Sequence, residues 1–174
     1  YPELYSILVY PTAYIANHPE PEPWPGGVVF EDEEDVHYGE SWETGAVVLA
    51  WDEVMRSARD IKDGYNVVLH EFAHQLDQEN AHADGAPVLP DGMSYEAWGR
   101  VMEREYRKLL RDVEFERRTV IDDYGAEDPA EFFAVVTECF FEKPEALRRN
   151  HPELYALLKA FYRQDPGGGD ERAA

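Results

Sequence analysis

The chain has 174 residues, 44% of them apolar and 13% aromatic, with 37 acidic against 16 basic side chains and a formal net charge of −21. It is too apolar for a disordered chain, long enough for one domain with a real core, and too short for two full domains. A surface this acidic repels phosphate backbones and anionic headgroups, which argues against nucleic acid and membranes and favours a cationic partner or a peptide.

Ser6-Ile7-Leu8-Val9-Tyr10 reads as a strand that stops at Pro11. Prolines at 19, 21, 23 and 25 predict an extended loop from His18 to Gly27, followed by a short strand at Val28-Val29-Phe30. Gly45-Ala46-Val47-Val48-Leu49-Ala50-Trp51 is the clearest strand pattern, β-branched and apolar after an acidic stretch. From Asp52 the pattern turns helical, with a short helix to Ile61 that ends near Gly64. Tyr65 to about Asn80 forms the next helix, and a polar loop then runs to Gly92. Ser94 caps a charged amphipathic helix to about Asp112, Asp128-Pro129 opens another through Phe141, and Pro152 to Tyr162 is the last. The Gly-rich polar tail, residues 165–174, is expected to be disordered. Strands followed by helices make an α+β order, expected as a single domain over residues 1–164 with a sheet part at about 5–51 and a helical part at about 52–164.

The helix from Tyr65 carries His70-Glu71-Phe72-Ala73-His74, an H-E-x-x-H pentapeptide. A spacing of four puts both imidazoles on one helix face, one turn apart, where they can share a Zn²⁺ ion. Glu71 then projects beside the metal, where it can act as general base. The alternative is a surface helix with two spare histidines. Catalytic zinc takes three protein ligands and leaves a position for water, so a third ligand is needed. The metzincin pattern requires Gly at position 77 and His at position 80; this chain has Asp77 and Asn80. Glu131 is the best candidate, a carboxylate at the edge of an apolar helix. It also stands at the capping-box position after Asp128, so ligand and cap are both open to it. Glu138, His82 and Asp84 are rivals for the third place.

The set His70-Glu71-Phe72-Ala73-His74-Gln75-Leu76-Asp77, Tyr124-Gly125, Glu131-Phe132-Phe133-Ala134 and the strand end Val48-Leu49-Ala50-Trp51 resembles the Mlc titration factor A family of bacterial metallopeptidases. The resemblance runs from about Val9 to Phe161. The Tyr-Gly-x(5)-Glu-Phe-Phe-Ala arrangement is also similar to the catalytic domain of anthrax lethal factor. These resemblances imply a zincin-like fold of the Glu-ligand class (gluzincin), with one zinc on His70, His74 and Glu131, Glu71 as base, and Tyr124 holding the reacting carbonyl oxygen. They also imply two compatible functions. One is a peptidase acting on peptides or proteins, with aminopeptidase and endopeptidase action both open. The other is sequestration of the transcriptional repressor Mlc in the control of glucose uptake. A zinc-bearing fold without turnover is a third reading, which the intact Glu71 disfavours.

Other positions carry weaker signals. Asp77, one turn beyond His74, can orient a ligand imidazole or serve as a cap. Val47, Val48, Leu49 and Ala50 are read either as sheet core or as an edge strand that pairs with an extended substrate. Glu127 and Glu138 share a helical face with Glu131 and are read as solvated or as supporting the ligands. His18, His37, His82 and His151 have no partner pattern and are read as ordinary polar residues. No apolar run approaches the ~20 residues that span a bilayer. No signal-peptide pattern opens the chain, and the single cysteine, Cys139, suits a reducing cytoplasm, the expected compartment of a bacterial protein.

Overall fold

The computed structural model describes residues 4–12, 14–15, 36–37, 39–42 and 45–168. The predicted loop at His18 to Gly27, the strand at Val28-Val29-Phe30 and tail residues 169–174 lie outside the described residues. The strands described are β1 (Ser6–Tyr10), β2 (Tyr14–Ile15), β3 (Val36–His37), β4 (Gly39–Trp42) and β5 (Ala46–Ala50). The helices are α1 (Trp51–Ser57), α2 (Val67–Asp77), α3 (Tyr95–Glu114), α4 (Pro129–Glu142), α5 (Pro144–Asn150) and α6 (Pro152–Tyr162). Single 3₁₀ turns stand at Gln78–Asn80 and Asp123–Ala126. The fold class is α+β.

β5 is the centre of a three-stranded sheet of order β1-β5-β4. It pairs parallel with β1, Ser6 opposite Ala46, and antiparallel with β4, Trp42 opposite Ala46. All five of its residues are buried, the mark of a strand covered on both faces and read in sequence as an unbroken apolar run. The edge-strand reading of Val47, Val48, Leu49 and Ala50 is therefore corrected. Both sides of β5 are already paired, and its side chains belong to the core. Among the described residues the outer strand beside α2 is β4.

α2 lies between the sheet and α4, packing on β4, β5 and α4. Asn66 caps it by accepting from Leu69 N–H at 3.1 Å. At the other end Ala81 takes a left-handed conformation (φ 66°) and Asn80 anchors the turn, donating from Nδ2 to Ala86 O at 2.8 Å. α4 is capped as predicted, with Asp128 Oδ1 accepting from Ala130 N–H and Glu131 N–H at 2.7 and 2.9 Å and Pro129 at the first helical position. Every residue from Phe132 to Phe140 is buried, so α4 is the core of the helical layer. Phe133, Trp98 and Phe161 interlock with ring centroids 5.2–5.8 Å apart. Each such side chain contributes about 1.5–3 kcal/mol by leaving water.

Gly85 is where α2, α3 and α4 are tied together. Its N–H donates to Asp77 Oδ2 at 2.8 Å, and its carbonyl accepts from Trp98 Nε1–H at 2.9 Å. It sits at φ +75°, and a Cβ there would stand 2.4 Å from Pro129 O. Only glycine meets both conditions.

α5 was not foreseen from the sequence, and His151 is not an ordinary polar residue. It is buried at the α5–α6 junction, its Nδ1 2.8 Å from Glu105 Oε2, both side chains being 9% exposed. Burial works against the Glu105 carboxylate, but His151 and Arg104 outweigh it and hold its pKa below the usual value. A depressed folded pKa means stabilisation that is present above the unfolded pKa and fades as pH falls through the folded one. Glu105→Ala leaves the imidazole buried without its partner and should cost about 1–3 kcal/mol in urea denaturation. A loss under ~0.5 kcal/mol would put the pair among inconsequential surface contacts.

The first residues of the expected tail fold back on α6. Tyr155 donates its hydroxyl to Asp165 Oδ1 at 2.5 Å and accepts from Gly167 N–H at 2.8 Å. Cys139, on α4, is 2% exposed, its Sγ 3.8 Å from Val120 O, and burial pushes its thiol up to about 12. Among the described residues no helix is long and apolar enough to cross a membrane.

Candidate metal centre

Two helices supply the site. His70 and His74 stand one turn apart on α2, and Glu131 faces them from the first turn of α4. The structure brings these three together, with one ligand atom from each within 4.8 Å of the others. His70 Nε2 and His74 Nε2 are 3.1 Å apart, and the Glu131 oxygens lie 3.0 Å from His70 Nε2 and 3.3 Å from His74 Nε2. Tetrahedral bonds of about 2.0–2.1 Å would set ligand atoms about 3.3 Å apart, close to these separations, so the three groups are spaced to share one cation. Glu131 Oε2 is buried, and His70 Nε2 faces it without a well-directed hydrogen bond, as in a ligand pair arranged around a cation.

The electrostatics point the same way. Burial works against a charged His70, yet Glu131 and Glu138 outweigh it and lift its pKa to about 10. Burial likewise opposes the Glu131 carboxylate, and the two imidazoles reverse that and hold its pKa far down. The cluster is built to contain positive charge, a proton or a metal ion.

Glu131 does not close the capping box. Its carboxylate goes to the imidazoles, and Asp128 alone caps α4. Of the rival ligands, His82 and Asp84 are exposed beyond the end of α2 and stand outside the cluster. Glu138 is close but in another place. It lies on the far side of the His70 ring, with Oε1 2.8 Å from Nδ1, and is 4% exposed. Glu138 also accepts from Asn66 N–H. Asp77 is fully buried, and its carboxylate holds Gly85; behind the ligand face, the carboxylate that meets an imidazole is Glu138, at His70 Nδ1. Burial raises the Asp77 pKa to about 6. Glu127 is exposed, as read from the sequence.

Glu71 follows His70 on α2 and is 5% exposed. Its charge reaches both His70 and Tyr124, raising the pKa of each. Tyr124 stands in the 3₁₀ turn before α4, half-exposed, its ring 6.0 Å from that of His70. Burial first, then Glu131 and its acidic neighbours, push the phenol up to about 12. Gly125 is buried against Val135 and Leu109, which seats this turn on the helical layer. Tyr124 thus stands beside the cluster and is itself open to solvent.

Known proteins share this chain's sequence. An uncharacterized protein of Synechocystis is 44% identical over 167 residues, covering 95% of this chain and 60% of its own length. Mlc titration factor A of Pectobacterium atrosepticum is 35% identical, and that of Escherichia coli 31%, each covering 93% of this chain and 60% of the relative. The chain spans about 60% of the length of these curated relatives. Residues 1–163 match the family described as glucose-regulated metallo-peptidase M90. With that match over nearly its whole length, the chain belongs to the M90 metallopeptidase family.

Proposed function

We propose that the protein is a zinc-dependent peptidase of the H-E-x-x-H-plus-glutamate class, with His70, His74 and Glu131 as ligands. The observation that carries this reading is the cluster of His70, His74 and Glu131, with the two imidazole nitrogens 3.1 Å apart and a Glu131 carboxylate oxygen within 3.0–3.3 Å of each. Zinc held there supplies Lewis acidity, lowering the pKa of a water in the open position from ~15.7 towards ~7. Glu71 takes the proton of the attacking water and returns it to the leaving amine. The Tyr124 hydroxyl donates to the oxyanion that develops on the scissile carbonyl. Since β5 has no free edge, an extended peptide would pair along β4, the outer strand beside α2.

Purified protein should carry one zinc ion per chain, and Glu131→Ala should lose most of it on dialysis. Full zinc retention by Glu131→Ala, with loss from His82→Ala, would assign the third ligand to His82 instead.

The relatives known as Mlc titration factor A support a second function in the same molecule, binding of an Mlc-type repressor. Pull-down of Mlc by the Glu71→Gln variant distinguishes the two, because binding needs no general base.

A further inference from the structure

α4 places a second carboxylate against the ligand helix, two turns beyond Glu131. Glu138 sits in a helix buried from Phe132 to Phe140, where an unpaired charge is costly. Both its oxygens are used, and both partners are on or next to α2. Oε1 faces His70 Nδ1 at 2.8 Å, and Oε2 accepts the N–H of Asn66, the residue that caps α2. One turn further on, Glu142 holds the same entry to α2. Its Oε1 accepts from Asn66 Nδ2 at 2.8 Å and its Oε2 from Gly64 N–H at 3.1 Å. Glu142 touches no imidazole through these bonds.

We infer that Glu138 is the positioning residue of the metal centre: it keeps the proton of His70 on Nδ1, presents Nε2 to the ligand cluster, and fixes the ring relative to the start of α2. The inference rests on the zinc-site reading above. Its chemistry requires a carboxylate. His70 Nδ1–H and Asn66 N–H are both donors, so Glu138 must accept twice. A glutamine in the same pose has one acceptor oxygen and an NH2 group that can only donate, so one of the two donors is left facing another donor. Carboxylates that hold a ligand imidazole this way are commonly worth 10- to 100-fold in metal affinity.

Three proteins decide the matter: wild type, Glu138→Gln and Glu142→Gln. Zinc affinity is measured by chelator competition, and the His70 ring by ¹⁵N-resolved imidazole NMR. Glu138→Gln should bind zinc about 10- to 100-fold more weakly. Glu142→Gln loosens the same entry to α2 without touching His70, and should lower thermal stability while zinc affinity stays within about threefold of wild type. In the wild-type spectrum the His70 Nδ1 proton should be protected from exchange, with zinc on Nε2. Wild-type affinity in Glu138→Gln, or an equal loss in both variants, would reduce Glu138 to a structural clamp. An unprotected Nδ1 proton in wild type would overturn the inference even if Glu138→Gln failed to fold. A wild-type chain that takes up no zinc would instead overturn the proposed function, and the Nδ1 signal of the metal-free protein would still report whether Glu138 holds the ring.

Discussion

Glu71→Gln should lower peptide hydrolysis by about 10²- to 10⁴-fold while leaving zinc content and melting temperature near wild type. The substitution keeps the size of the side chain and its capacity to accept one hydrogen bond, and removes only the basic oxygen. Glu71 is buried beside His70, and its charge reaches both His70 and Tyr124. It is not one of the three clustered ligand groups, and the proposed mechanism assigns it the proton of the attacking water. The measurement is turnover on generic aminopeptidase and endopeptidase substrates, with zinc determined on the same samples. Undiminished turnover would remove the general-base role. Absent turnover in wild type and variant alike, with zinc bound, would leave the repressor-binding reading as the better one.

A second large effect is expected at Tyr124. Tyr124→Phe keeps the ring and its packing on His70 and deletes one donor, so kcat and kcat/KM should fall together by about 10²- to 10³-fold, with KM little changed. Tyr124 is half-exposed, and its ring stands 6.0 Å from that of His70. A tyrosine that only packs loses almost nothing as phenylalanine, so an unchanged kcat would return Tyr124 to a structural role.

Much of this was legible from the sequence because the decisive signals are local. The four-residue spacing of His70 and His74 needs nothing but a helix, and Asp128-Pro129 announces the start of α4 by capping chemistry alone. What was not legible depends on groups far apart in the chain. β4 is a four-residue strand, Gly-Glu-Ser-Trp, without apolar alternation, so nothing local shows that it covers the second side of β5. α5 has one fully buried residue, Leu147, and so presents no apolar stripe to read. The partners of Glu138 and His151 lie 68 and 46 residues away in sequence. A physical hint did exist for Glu138. A carboxylate inside a helix apolar on every side must be paired, and the nearest helix already known to approach α4 was the one bearing the histidines.

Cys139 follows Glu138 directly on α4 and is buried in the core of the helical layer. Its thiol is shielded and, at a pKa of about 12, almost wholly un-ionised at neutral pH, so it is inert while α4 is seated. Reductants that compete for zinc are thus unnecessary during purification. The lone sulfur also becomes an internal stopwatch: alkylating reagents reach it only when the packing around α4 opens, so labelling counts the openings of the layer that carries Glu131.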